Sequence, residues 1–219
     1  MKKFKDLKIV GCLMVHDNDY LKRVIDDLSK YVKDIYVNLN DPTEKNRKIV
    51  EKHPNVKKIV YTSNANGNWR QSLQRGITVR MLDEVKPDIV VFPDDDEIFP
   101  PDLIKILKDF WKSKKKALYF TMDYCWNNEN QIRVDSVFGR MHHVRAFKWE
   151  PNLTYHPYPG KSCPRNMCGL DEVYSSCSNI KHLGYMTKKN RMNRYKRDKK
   201  GHYISDLKGI PIKLIKTLK

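Results

Sequence analysis

The chain has 219 residues and a formal charge of +17, with 40% hydrophobic and 32% charged residues. That is enough for one large domain with a real core, and its Tyr, Trp and Phe content excludes a disordered chain. No apolar run reaches the length of a membrane span, and Met1-Lys2-Lys3-Phe4-Lys5-Asp6 lacks the apolar centre of a signal peptide, so the sequence reads as cytoplasmic.

The first half alternates between strand-like and helix-like patterns. Lys8 to Val15 is a nearly continuous apolar run, as expected for a strand buried on both faces. Leu21, Val24, Ile25, Leu28 and Val32 then fall on one helical stripe, with Asp17 or Asn18 as its cap. Ile35–Val37 and Lys57–Tyr61 read as the second and third strands. Trp69, Leu73, Ile77, Met81 and Val85 predict a helix over 69–86, which Pro87 ends. A fourth strand over 88–92 leads into Pro93-Asp94-Asp95-Asp96-Glu97. After Pro100-Pro101 the stripe Leu103, Ile104, Leu107, Phe110 and Trp111 predicts another helix, and 117–124 another strand. This β/α alternation calls for an α/β fold with a mostly parallel sheet and helices on both faces.

From Asn127 the pattern changes. Asn127–Asn130 reads as a hairpin turn between Tyr119–Trp126 and a strand near Ile132–Val134, and Val144–Trp149 as a further strand. Residues 150–181 hold Pro151, Pro157, Pro159 and Pro164 without periodicity, the mark of a lid or binding loop. Thr187–Asp198 suits a helix. The expected organisation is one domain over 1–198, divided into halves 1–126 and 127–198, with a basic tail over 199–219. Residues 181–219 carry 13 Lys and Arg against Asp198 and Asp206. Such a tail suggests an anionic surface nearby, either membrane lipid, nucleic acid or a phosphorylated acceptor, so that the protein would sit at the membrane periphery or on nucleic acid. The last ten residues interleave aliphatics with lysines, as a weak interfacial anchor does.

Five cysteines, an odd number without an export signal, argue for free thiols. Cys163, Cys168 and Cys177 cluster between His156 and His182, but without a Cys-x-x-Cys pair they make a poor zinc site. His142 and His143, adjacent on a strand, point to opposite faces and are read as structural.

The acidic run carries the chemistry. Four successive carboxylates repel one another, and burial pushes each toward neutrality, so a strand ending in them needs a cation or open water at its tip. In α/β sheets that tip is where ligands bind. Hard oxygen ligands suit a divalent metal shared with a phosphate-bearing ligand.

Asp94-Asp95-Asp96-Glu97 with Ile98-Phe99-Pro100-Pro101-Asp102 resembles the Asp-x-Asp-Glu segment of family 2 glycosyltransferases with the GT-A fold. Ile9 to Leu21, the stretch from Trp69 to Arg75-Gly76, and Ile180-Lys181-His182-Leu183-Gly184-Tyr185 resemble three further segments of that family, in the same order. The resemblance implies a nucleotide-sugar donor (a UDP-sugar first), Mn²⁺ or Mg²⁺, and an inverting single displacement onto a glycan, lipid-linked or other hydroxyl acceptor. It implies Asp96 and His182 at the metal, His182 reaching the metal or the diphosphate, and Asp94 near the ribose or sugar. Arg75, Arg191 and Arg194 become candidates for the diphosphate. Where the family carries an acid for the nucleobase, Asn38-Leu39-Asn40 stands here and Asp41 follows late. No acid follows His156, which leaves Asp171 and Glu172 as the preferred catalytic base. Two other readings stand beside this one: a nucleic-acid enzyme or binder with the acids on metal, and a glycosyltransferase-like domain that binds without turnover.

Overall fold

The computed structural model describes residues 2–16, 18–63, 71–134, 141–153, 173–198 and 215–217. Its elements in chain order are β1 (Ile9–Val15), α1 (Leu21–Leu28), β2 (Asp34–Asn40), α2 (Glu44–Glu51), β3 (Val56–Thr62), α3 (Gln71–Arg80), β4 (Ile89–Val91) and β5 (Glu97–Ile98). They continue with α4 (Leu103–Lys112), β6 (Ala117–Trp126), β7 (Asn128–Arg133), β8 (His142–Lys148), β9 (Val173–Ser175), β10 (Ile180–His182), α5 (Lys188–Asp198) and β11 (Ile215–Thr217).

Strands β3-β2-β1-β4 form a parallel block, with Val10 opposite Asp34 on one side of β1 and Val91 opposite Gly11 on the other. Apolar side chains of β1 go both ways. Leu13 and Val15 join α1, α2 and α4 in one core layer, whereas Val10, Cys12 and Met14 join Val79 of α3, Leu82, Phe92 and Phe147 in the other. That two-sided burial is why the strand shows no polar alternation. Helix α1 lies close on β1, since a Cβ built on Gly11 would stand 2.8 Å from Leu28 Cδ2. Among the described residues no helix is long and apolar enough to cross a membrane.

Several expectations are corrected. The strand over 117–126 does not sit beside β4: β8 lies between them, antiparallel to both, so the parallel block stops at β4. Helix α2 was not foreseen. Its Val50 is buried, but its outer face is charged, and Thr43 caps it by accepting from Asn46 N. The expected four-residue hairpin turn reduces to Asn127, which takes the left-handed conformation (φ 68°) between β6 and β7. In α4, Ile104 faces solvent and Ile106 is the buried residue.

The long loop contains β9 and β10 at its end, both on β6, while 154–172 lies outside the described residues. Cys163 and Cys168 fall there with His156. Cys177 is an exposed free thiol, and Cys12 and Cys125 are buried ones. Of the tail, 215–217 pair antiparallel with β7, and 199–214 lie outside the described residues.

Candidate active site

The parallel strands run their carboxyl ends to one edge. His16 follows β1 there, Asp41 follows β2, Thr62 ends β3, and the acidic run follows β4. An isolated parallel bridge from Met14 to Asp94 carries the β1–β4 pairing into the run. Ligands bind at this edge in open α/β sheets.

The four acids have different surroundings. Asp94 and Glu97 form the floor. Arg145, from β8, donates from Nε to Glu97 Oε2 and from Nη2 to Glu97 Oε1, each at 2.5 Å, and from Nη2 to Asp94 Oδ2 at 2.6 Å. Arg75, from α3, pairs with Asp94 Oδ1, and Asp94 N donates to Glu97 Oε2 at 2.9 Å. Arg145 and Glu97 are buried. Burial is the largest influence on Asp94 and pushes its pKa up, but Arg145 and then Arg75 outweigh it and hold the carboxyl below the usual carboxylate range. The two guanidiniums thus supply part of the countercharge that the sequence pattern demanded.

Asp95 and Asp96 form the rim. Half-buried Asp95 accepts from His16 N (3.1 Å) and Asn18 Nδ2 (3.0 Å), while Asn18 Oδ1 accepts from Tyr20 N (2.9 Å). Asn18 therefore ties the chain leading into α1 to the acidic run, and Asp17 lies outside the described residues. Burial, then the neighbouring charge of Asp96, pushes Asp95 up to about 7, against the pull of both hydrogen bonds.

Asp96 is buried and meets His182 across a gap of 3.7 Å between Oδ1 and Nε2. Residues 86 positions apart meet because β10 pairs antiparallel with β5, setting His182 opposite Glu97, and because Leu183 N donates to Asp96 O at 2.7 Å. His182 stacks at a tilt on Tyr124 and Tyr185, and its Nδ1 accepts from Gly184 N at 3.2 Å. A neutral imidazole whose Nδ1 accepts carries its hydrogen on Nε2, the atom that faces Asp96. Ligand atoms of Asp96, Glu97 and His182 lie within 4.8 Å of one another, as a metal site requires.

The remaining candidates disperse. Arg75 is fully buried over the Phe92 ring, its Nε and Nη1 without a hydrogen-bond partner among the described residues. Its helix is oriented by a buried polar network: Asn38 Nδ2 donates to Gln74 O and Oε1, and Thr62 Oγ1, with one hydrogen to give, lies 2.8 Å from both Asn38 Oδ1 and Gln74 Oε1. Asn38 therefore braces α3. Asp41, exposed at the strand edge with φ 44°, donates its N–H to Thr62 O. Arg191 turns away from the acids: its Nη1 donates to Tyr185 O and Met186 O, and its guanidinium lies 4.5 Å from the Trp126 ring centroid. The Arg194 side chain, Asp171 and Glu172 lie outside the described residues. Exposed His142 holds Thr121 Oγ1 on one side of β8, and His143 is half-buried on the other.

An open α/β sheet with an acidic turn at the carboxyl ends of its parallel strands is the architecture of GT-A-like glycosyltransferases. The family model described as glycosyl transferase family 2 matches residues 13–168, most of the chain, and the chain belongs to that family. Membership supports sugar transfer as its general activity.

Solved structures resemble it more distantly. TarS 1–349 of S. aureus shares 14% identity over 65% of this chain and 47% of its own, with a TM-score of 0.46. Glucosyl-3-phosphoglycerate synthase of Mycobacterium tuberculosis, in complex with Mg²⁺ and UDP, shares 17% identity over 55% and 44%, with a TM-score of 0.40. The 4-diphosphocytidyl-2C-methyl-D-erythritol synthase of Anaerococcus prevotii shares 14% over 66% and 71%, with a TM-score of 0.42. The chain spans less than half of each of the first two. No curated protein matches the chain.

Proposed function

We propose that this protein transfers a sugar from a nucleotide-sugar donor, a UDP-sugar first, to a hydroxyl acceptor, by one inverting displacement with a divalent cation at Asp96. The observation that carries this reading is the buried Asp96 carboxylate at the strand edge with His182 Nε2 facing it at 3.7 Å. Mg²⁺ and Mn²⁺ are commonly held by one or two carboxylates together with substrate phosphates, which a carboxylate at the strand edge suits. Bound there, the cation neutralises charge that develops on the diphosphate as the glycosidic bond breaks.

His182 is assigned to the diphosphate. With Nδ1 engaged by Gly184 N–H, Nε2 is a donor rather than a metal ligand, which suits a departing phosphate oxygen and removes the reason to favour Mn²⁺ over Mg²⁺. Arg75 is the cationic partner on the donor side: its buried Nε and Nη1 are the pattern of a site awaiting an anion or sugar hydroxyl. Asp94, fixed between two guanidiniums, orients Arg75 beside the sugar, and Asp41 at the end of β2 takes the nucleobase side. The acceptor oxygen attacks the anomeric carbon, the bond to the diphosphate breaks, and the acceptor proton passes to Asp171 or Glu172. Arg191 acts as a clamp on the turn after His182. The acids arise from one turn instead of converging from several elements, which disfavours a nuclease.

Release of nucleoside diphosphate from a panel of nucleotide sugars, with Mg²⁺, Mn²⁺ or EDTA, tests the reading. Cation-dependent release from one donor is expected. Asp96→Asn should lose cation-dependent UDP binding and about 10²–10³-fold of the rate. His182→Gln should keep the cation-dependent binding but lose rate. Binding without release from any donor would leave a non-catalytic domain, and Asp96→Asn binding UDP with Mn²⁺ as wild type does would overturn the cation assignment.

A further inference from the structure

We infer that the outer face of α4, with the N-terminal turn packed beside it, docks on an anionic phospholipid bilayer.

Helix α4 is divided by burial. Leu103, Ile106, Leu107 and Phe110 enter the core. The opposite face carries Lys105, Lys108 and Lys112, all exposed, and exposed Lys114 follows the helix end. Between core and lysines runs a shoulder of two large apolar side chains. Ile104 is 42% exposed, and half-buried Trp111 lies two turns along the same flank. Trp111 Nε1 donates to Lys2 O at 3.1 Å, which holds the short turn Phe4–Asp6 near the helix, with Phe4 half-buried against the core. That turn brings exposed Lys3 and Lys5 near Trp111.

Lysines therefore surround the shoulder, and the acids among them are Asp6 and half-buried Asp109. At the margin of this face, Lys2 pairs with Asp88 and Lys116 with Glu150. Lys3, Lys5, Lys105, Lys108, Lys112 and Lys114 form no ion pair among the described residues, so their charge faces outward as a group. Such a group calls for an extended anionic partner.

The side chains select lipid over nucleic acid. A nucleic-acid surface favours arginine, whose fork grips phosphate in two places. This face has lysine alone, and it adds an exposed isoleucine and a tryptophan, the pairing of a surface that rests at headgroup depth. Lysine stems can lie along that apolar shoulder while their ammonium groups reach lipid phosphates. With two apolar anchors the attachment is mainly electrostatic, and salt reverses it. The last ten residues of the chain, the anchor that the sequence suggests, hold 215–217 in a pairing with β7. Leu103 follows Glu97 by six residues, so docking on α4 keeps the acidic turn close to the bilayer. On the proposed function this favours a lipid-linked acceptor, a consequence that rests on that reading, whereas the docking itself does not.

The test is flotation of the full chain with vesicles of phosphatidylcholine alone or with about one-third phosphatidylglycerol, at about 0.1 M and about 0.5 M salt. Binding is expected to the anionic vesicles only, and at the lower salt only. Lys105→Gln/Lys108→Gln/Lys112→Gln should melt as wild type does and bind about 10²-fold more weakly. Ile104→Ser, a second variant should the triple one not fold, should weaken binding several-fold. Lys213→Gln/Lys216→Gln/Lys219→Gln, in the tail, should leave binding near the wild-type value. Lipid brominated near its headgroup should quench tryptophan fluorescence by an amount that Trp111→Phe removes. Wild type that stays off anionic vesicles at both salts, or a folded lysine variant that floats as wild type does, would overturn the inference. So would loss in the tail variant alone, which would move the attachment to the tail. Duplex DNA bound more tightly than the vesicles at the same salt, or self-association in sedimentation, either one lost in the lysine variant, would overturn it in favour of nucleic acid or a second copy. None of these measurements reads donor hydrolysis, so their failure leaves the proposed function standing.

Discussion

Asp94 and Glu97 rest on Arg145, with Arg75 on the far side of Asp94, whereas Asp95 and Asp96, between them in sequence, face the chain after β1 and His182. The same residue type thus serves two ends within four positions. On the floor, each charge is matched by a guanidinium through close, charge-assisted hydrogen bonds. On the rim, the compensation is weaker: burial, then the like charge of Asp96, pushes the Asp95 carboxyl up to about 7 against the two neutral donors it accepts from. Floor substitutions should therefore act on folding, and rim substitutions on ligand binding.

The largest effect is expected at Glu97. Glu97→Ala leaves Arg145 buried with only part of its countercharge, and breaking a buried pair this way costs about 3–5 kcal/mol. Urea denaturation should show that loss with an unchanged slope. A loss below about 1 kcal/mol would mean that the floor behaves like a surface ion pair.

Next comes the brace beneath Arg75. Asn38 is buried and ties β2 to α3 through Gln74 and to β3 through Thr62. Asn38→Ala strips these buried groups of a partner, at about 1–3 kcal/mol. It should also lower donor hydrolysis more than Asp96-dependent cation binding, because α3 carries Arg75 and not the cation carboxylate. Equal loss of both would mean that the network supports the whole edge rather than its floor.

A smaller effect depends on pH. Burial, then the charge of Arg145, lowers His143 to about 3. The unfolded chain takes up its proton near pH 6.5 while the folded chain refuses it, so stability falls as pH drops from about 6.5 toward 3. With partial exposure discounted, the loss attributable to His143 between pH 7.5 and 5 is about 1–2 kcal/mol. Denaturation at those two pH values should show His143→Gln losing that much less than wild type. An identical loss in both would trace the acid sensitivity to other groups.

How much of this was legible follows from what each residue's role depends on. The runs ending at Val15 and at Phe92 could be read as buried strands because both faces of β1 and β4 are apolar. The acidic turn and His182 were legible as motifs, although the β5–β10 pairing that joins them is not a local property. Helix α3 was found with the wrong inner face. Leu73 is 55% exposed, while Gln74, Arg75 and Thr78 are buried, because this helix turns polar groups toward the site and apolar periodicity does not see them. Arg145 went unnoticed for a related reason. Its partners are 48 and 51 residues away, brought near by β8 entering between β4 and β6. A signal did exist: Val144-Arg145-Ala146-Phe147 puts one permanent charge in a buried strand run, and such a charge requires a carboxylate.

The smallest effect on stability is expected at the rim, and its sign is what separates rim from floor. Asp96→Asn keeps the size of the side chain and removes the charge that, after burial, does most to raise Asp95. An acid whose folded pKa lies above its unfolded value weakens the fold as pH rises from about 4 to 7, because the unfolded chain gives up that proton first. Relieving Asp95 should make Asp96→Asn as stable as wild type, or more stable by no more than about 1 kcal/mol, with the gain greatest above pH 7. The same variant should lose cation-dependent UDP binding. Thermal melts at pH 5 and 8 with EDTA, paired with UDP titrations in Mn²⁺, separate the two effects. A clear loss of stability at pH 8 would move Asp96 from the rim to the floor, and the distinction would then have to be drawn between Asp95 and the other three.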